Sequence, residues 1–275
     1  MEGLDLDVHS PEQGSARRLT PTLDDLRRLF VQKHGEPSRV GWGPRRRYAA
    51  DYYTPADVYE ATVDQMLQPG DAWVDVGGGH NIFPENPRLA ATLVARSKRM
   101  VAIDPDPAVH EHALAGERHQ CLLEDYRGEG GFDLATLRMV VEHVDDPLRF
   151  VRALHGLLAP RGYVVVLTVD RWSPISVAAS VVPFSWHHRT KRLFWGGDER
   201  DTFPVRYKMN TRRALRASFV GHGFEELTFV RLDDLSAFGR FRALGAAELG
   251  VWRVFRALRL RYPESCFLGI YRRLD

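Results

Sequence analysis

Residues Trp73 to Asn81 read WVDVGGGHN, a run suited to a buried strand that ends in three consecutive glycines. Trp73, Val74 and Val76 favour a strand interior, while Gly77 and Gly79 let backbone approach a ligand and reach φ angles closed to other residues. In a doubly wound sheet such a turn follows the carboxyl end of the first strand, at the switch point where ligands bind. A dinucleotide fingerprint would need a further glycine at position 82, and Ile82 stands there. NAD is therefore disfavoured.

Downstream of this turn, short apolar runs alternate with helical stretches. Strands are expected near Ala72 to Val76, Met100 to Ile103, Gln120 to Leu123, Phe132 to Thr136 and Tyr163 to Val169. Helices are expected to start at Asn86 with Pro87 and at Asp146 with Pro147. The alternation predicts a parallel α/β sheet. Only eight residues separate the third and fourth expected strands, too few for a crossover helix.

On the N-terminal side, residues 1–47 are expected to form a tail and a helical segment. Met1 to Pro21 is polar and aperiodic, Leu23 to Lys33 has helical apolar spacing, and Gly41 to Arg47 (GWGPRRR) predicts a basic turn. The α/β domain then occupies 48–275, opening on a helix from Pro55 to Leu67 capped by Thr54. Asp170 to Met209 is irregular and rich in Trp, His, Phe, Gly and Pro, which predicts an inserted lid over 170–210. A helix from Thr211 to Val220, a strand near Glu225 to Arg231, a helical insertion over 235–262 and a strand from Cys266 to Arg272 complete seven strands.

The 275 residues are 44% hydrophobic, with 38 basic and 36 acidic side chains, so neither a disordered chain nor a basic nucleic-acid binder is indicated. Cys121 and Cys266 are too few for a disulfide framework and are expected as buried thiols. No apolar run reaches the roughly 18 residues of a membrane span. A cytoplasmic protein without stable membrane insertion is expected.

The segment from Asp75 to Asn81 resembles motif I of class I S-adenosylmethionine-dependent methyltransferases, written D-x-G-x-G-x-G. Asp75, Gly77 and Gly79 match, and Asn81 replaces the last glycine. VAIDPD, ending the second expected strand, resembles the family's ribose-binding step, some five residues late behind the insertion Ile82 to Asn86. CLLEDY, FDLAT and VEHVDDP follow in the family's order. The resemblance implies a Rossmann-like, seven-stranded doubly wound sheet with its last strand pair antiparallel, and S-adenosylmethionine as cofactor. It places the cofactor against Asp75, the Gly77, Gly78, Gly79 loop, Asp104 with Pro105 beside it, and Met139. Asp104 would accept from the ribose hydroxyls. Asp125, or Glu124 in the alternative register, would take the adenine amino group, with Tyr126 alongside.

Methyl transfer needs alignment and dryness more than acid–base chemistry. If the acceptor is a hydroxyl, His143, His187 and His188 are the candidate proton acceptors. Glu142 and His143 also resemble half of the E-x-x-E-H divalent-ion site of some family members, but Met139 stands in place of its first carboxylate, so no metal is expected. Bonds to nearby backbone are expected for the pair instead. Trp172, Phe184, Trp186, Phe194, Trp195, Phe203 and Tyr207 suit a lid over a small organic acceptor such as a sugar, polyketide or other secondary metabolite. In the last helical stretch, Phe238, Phe241, Leu244, Leu249, Trp252 and Phe255 form an apolar stripe suited to a core or to a homodimer contact, and nearby arginines give it a basic amphipathic character.

Overall fold

A computed structural model describes residues 18–181, 204–236, 238 and 241–275. Seven strands lie in one sheet in the order β3-β2-β1-β4-β5-β7-β6: β1 (Ala72–Val76), β2 (Arg99–Asp104), β3 (Glu117–Gln120), β4 (Phe132–Arg138), β5 (Leu158–Val169), β6 (Phe224–Asp233) and β7 (Ser265–Arg273). The first five are parallel, and β7 runs antiparallel to both β5 and β6. The expected doubly wound sheet is present. The order reverses between β1 and β4, so the glycine turn sits at the switch point.

Strand alternation divides the core. Trp73 faces the cluster built with Leu26, Leu29 and Phe30 of α1 (Leu23–His34) and with α3 (Pro55–Met66), while Val74 and Val76 face Phe150, Val151 and Leu154 of α5 (Pro147–Leu157). Three N-caps are those the sequence marks: Thr54 on α3, Asn86 on α4 (Pro87–Arg96) and Asp146 on α5. Lys33, on α1, is buried against Asp57 at 2.9 Å and Glu60 at 3.0 Å, which ties the N-terminal helix to α3. Burial raises the cost of removing either partner, since the other charge would then be stranded.

Several expectations need correction. Gly41 to Arg47 is no turn: helix α2 (Trp42–Ala49) begins there, because Gly41 serves as N-cap, Pro44 falls in the first turn and three arginines are good helix formers. The third strand is Glu117–Gln120, not Gln120 to Leu123. It is the sheet edge and mostly exposed, so it carries no apolar signal, and the apolar Leu122 and Leu123 belong to the turn and short 3-10 helix that follow. The stretch after Asp170 includes helix α6 (Pro174–Val181). The late helical insertion narrows to α8 (Arg242–Ala257), preceded by α7 (Arg212–Val220). Its expected stripe is split: Leu249 and Trp252 are buried against Tyr52 and Tyr262, whereas Phe241 and Leu244 are exposed. Cys266 is buried as expected, but Cys121 is only half-buried.

Candidate functional site

Gly77 has φ +74° and Gly79 φ +54°, both left-handed, so the chain folds sharply over the end of β1. Its register is held by Gly77 N–H donating to Ile103 O at 2.8 Å. A Cβ on Gly77 would meet Val140 Cγ2 at 2.4 Å, and one on Gly78 would meet Asp75 Oδ2 at 1.8 Å. The turn therefore passes backbone directly over a carboxylate, a close approach that a side chain would prevent.

Asp75 is buried in β1. Trp73 Nε1–H donates to Thr136 Oγ1 at 2.9 Å, and the Thr136 hydroxyl donates to Asp75 Oδ1 at 2.6 Å. Among the described residues, Asp75 Oδ2 is buried and has no hydrogen-bond partner. Burial pushes this carboxyl up to about 6, with Asp104 adding to the rise and Thr136 and Arg138 opposing it. A buried carboxylate oxygen beneath a glycine turn suits an incoming ammonium, which would supply both charge and donors.

Asp104 ends β2 and is 6% exposed. Its Oδ2 accepts from Gly79 N–H at 2.8 Å and its Oδ1 from Asp106 N–H at 2.7 Å, so one side chain ties the β1 turn to the β2 end. The helix-capping acid of this stretch is Asp106, which accepts from Ala108 N–H at 2.8 Å. Pro105 is exposed beside Asp104.

Asp104 O also accepts from Cys121 N–H, which brings the segment after β3 to the same end of the sheet. Glu124 is half-buried there, and the exposed Asp125 approaches Arg149 at 3.9 Å. Tyr126 sits edge-on to His119 at 4.9 Å, with its hydroxyl on Glu129 O, and so points toward the turn before β4. Met139 leaves β4 with φ +56°, a conformation uncommon outside glycine and frequent at functional sites.

The loop after β4 is clamped from above by residues 204–210. Glu142 O accepts from Arg206 N–H at 2.6 Å and Tyr207 N–H at 3.1 Å, and Lys208 reaches Asp145 Oδ1 at 3.0 Å. The Glu142 side chain meets its own backbone, in keeping with the expectation, and also finds a side-chain partner on β5. It is buried and accepts from Thr168 Oγ1 at 2.9 Å, and Thr168 accepts in turn from Asn210 Nδ2 at 2.7 Å. Burial pushes Glu142 up to about 7, against a bond from its own backbone, the Thr168 bond and the charge of Arg138. His143 is half-buried, with Nδ1 3.3 Å from Pro204 O. His187, His188 and the insertion aromatics Phe184, Trp186, Phe194, Trp195 and Phe203 lie outside the described residues, while Trp172 is exposed and Tyr207 half-buried. Sequence pattern does not single out Thr136, Thr168 and Asn210, although a lone threonine inside FDLATLR and inside VVVLTV is a signal for the first two.

Two sets of known proteins resemble this chain. Among solved structures, the geranyl diphosphate C-methyltransferase of Streptomyces coelicolor A3(2), in complex with Mg2+, geranyl-S-thiolodiphosphate and S-adenosyl-L-homocysteine, is 17% identical, with TM-score 0.50 over 78% of this chain and 75% of that one. A likeness at that identity speaks for the fold alone. Among curated proteins, the ubiquinone biosynthesis O-methyltransferase of Xanthomonas campestris pv. campestris (strain B100) is 30% identical over 128 residues, covering 43% of this chain and 51% of its own length. The namesake of Caulobacter sp. (strain K31) is 34% identical over 105 residues, 36% of this chain and 40% of its own. The chain thus spans about half the length, or less, of these relatives. A family model described as a methyltransferase domain matches residues 45–228, from within α2 to within β6, and takes in the glycine turn, Asp104 and the Glu142 loop. By that match and by its sheet order, the chain belongs to the methyltransferase domain family, among the class I S-adenosylmethionine-dependent methyltransferases.

Proposed function

We propose that the protein transfers a methyl group from S-adenosylmethionine to an oxygen of a small organic acceptor, of the sugar, polyketide or other secondary-metabolite kind. The observation that carries the cofactor half is the buried Asp75 Oδ2 beneath Gly78, unpartnered among the described residues. Asp75 would hold the methionyl ammonium, Asp104 the ribose hydroxyls, and Glu124 or Asp125 the adenine amino group, with Gly77, Gly79 and Met139 shaping the floor. The bound cofactor supplies an already activated methyl group, so the chain's own task is to align, desolvate and accept a proton.

His143 is the described residue that suits proton acceptance. Its Nδ1 lies 3.3 Å from Pro204 O, which holds the ring at the loop end of β4. Oxygen as the acceptor atom is supported by the O-methyltransferase name of the bacterial relatives. The aromatic residues of the insertion support an organic acceptor.

Calorimetry with S-adenosylmethionine, its demethylated product and NAD tests the cofactor assignment. Dissociation constants on the order of micromolar are expected for the first two, with little heat from NAD. Tight NAD binding without response to the others would overturn the proposal. A screen of hydroxylated metabolites, read by release of the demethylated product, tests the acceptor class.

A further inference from the structure

Helix α8 uses two faces differently. One is pinned to the domain: Leu249 and Trp252 are buried, Trp252 Nε1–H donates to Asp233 Oδ2 at 2.8 Å, and Tyr52 packs edge-on against Trp252 at 5.1 Å. At about 100° per residue, Leu244, Ala247, Val251, Val254 and Leu258 fall within roughly 80° of one another on a different face. All five are exposed, the four large ones by 49–63%, and Leu260 just beyond the helix is exposed as well. An apolar strip this continuous on a helix whose other face is already seated is not explained by folding.

Its charged surroundings are one-sided. Residues 241–262 carry five arginines, Arg242, Arg253, Arg256, Arg259 and Arg261, against a single acid, Glu248, which is buried beside the Tyr262 hydroxyl. Arg242 and Arg253 fall about 100° to 120° around the helix from the near edge of the strip, past the small residues Ala243, Ala246 and Gly250, whereas Arg256 lies over the ring of the seated Trp252; Arg253 shares a groove with Arg46 of α2. Arg46 lies over the ring of the exposed Trp42 at 4.6 Å. Apolar residues on one face, arginines further round the helix and an exposed tryptophan at the margin are the composition of a helix lying in a bilayer interface. Self-pairing through the strip would set two groups of arginines around one interface with no exposed acid from the same segment to neutralise them.

We infer that the exposed face of α8, with its neighbouring arginines and Trp42, docks on the surface of an anionic lipid bilayer. The apolar side chains enter the headgroup boundary and the arginines meet lipid phosphates. Among the described residues no helix is long and apolar enough to cross a membrane, so the attachment is peripheral. Asp233, which holds Trp252, ends β6 at the same end of the sheet as the glycine turn, so docking would hold that end beside the lipid. The inference is independent of the transfer chemistry, because it is read without cofactor or acceptor.

Flotation of the full chain with vesicles of phosphatidylcholine alone, and of equal parts phosphatidylcholine and phosphatidylglycerol, tests it. The protein should float with the anionic vesicles and stay at the bottom with neutral ones. Arg253→Ala should weaken partitioning about fivefold. Val254→Glu, at an exposed position, should abolish flotation while leaving the circular dichroism spectrum and Tm unchanged. No flotation with either vesicle, equal flotation with both, or undiminished flotation of folded Val254→Glu would each overturn the inference. A dimer seen by light scattering that Val254→Glu dissociates, without flotation of the parent, would assign the face to a second copy and overturn it as well.

Discussion

The carboxyl end of the sheet holds two regions built by opposite means. On the β1, β2 and β4 side, glycines and short backbone bonds leave no slack: Gly77 and Gly79 are left-handed, Gly78 lies against Asp75, and Asp104 grips Gly79. On the β5, β6 and β7 side, the same level is occupied by side-chain carboxyls taken out of water. Glu142, Asp233, Asp234 and Glu264 are all pushed up chiefly by burial. The first region is fixed by what backbone can do, the second by which polar groups find partners. Backbone geometry tolerates almost no substitution, whereas a polar network responds to pH and to isosteric exchange. The two regions should therefore fail in different ways.

The largest effect is expected from Gly77→Ala. The left-handed φ costs about 1 to 2 kcal/mol for a residue with a Cβ. The overlap with Val140 adds roughly 1 to 3 kcal/mol, because β4 and its loop cannot yield freely. Urea unfolding should show a loss of about 3 kcal/mol together with loss of cofactor binding. A variant of normal stability and affinity would mean that the turn is softer than the packed region on the β5 side, reversing the comparison.

Glu142→Gln tests the other region. Between the ordinary 4.5 and about 7, the unfolded chain has released a proton that folded Glu142 retains, so its contribution to stability is complete below that window and is lost as pH rises through it. Glutamine is neutral throughout and can still accept from Thr168. Relative to the parent, the variant should gain on the order of 3 kcal/mol between about pH 4 and about pH 8, measured by urea unfolding at both. The similar rise at Asp75 is common to both proteins and cancels. A constant difference across pH would show that the Glu142 carboxyl titrates normally and that the β5 side is not a dry network.

Asp104→Ala joins the regions' logics, since it removes a side chain that also braces backbone. Cofactor affinity should fall by about 2 kcal/mol, roughly thirtyfold, through loss of a charge-assisted acceptor. Some of that loss would come from release of Gly79 N–H, and Asp104→Asn, which can still accept there, should recover part of it. Calorimetry on folded variants separates the two, and unchanged affinity in Asp104→Ala would exclude it as a cofactor ligand.

Much of the first region was legible in the sequence, and little of the second. WVDVGGGHN and VAIDPD are read locally, because each glycine or strand-end acid acts within a few residues of its neighbours in the chain. Glu142, Thr168 and Asn210 meet only after β4, β5 and the segment before α7 have been brought together, and no spacing rule links positions 142, 168 and 210. β3 was misplaced for a related reason: an exposed edge strand such as Glu117–Gln120 has no apolar alternation to reveal it. α2 was missed because a run of three arginines after glycine and proline looks like punctuation, although arginine propagates a helix well once Gly41 has started it.

The smallest effect should come from the surface ties of the segment that closes over the Glu142 loop. Lys208 Nζ reaches Asp145 O at 2.5 Å and Asp145 Oδ1 at 3.0 Å, and Arg206 Nε lies 3.3 Å from the same carboxyl. The Lys208 bond and charge, with Arg206 behind them, hold Asp145 below the usual carboxylate range, yet these groups stand in water, where pairing contributes little. What holds the segment down is the Glu142 carbonyl, which takes both the Arg206 and the Tyr207 N–H, and Asn210 buried against Thr168. Lys208→Ala should therefore leave the urea midpoint unchanged and raise amide exchange at Arg206 and Tyr207 by no more than roughly twofold, a difference that high salt erases in the parent. If those two amides instead exchange as fast as an unstructured chain, the segment is held by its surface ion pair. The β5 side would then owe its order to exposed charge and not to the buried network beneath it.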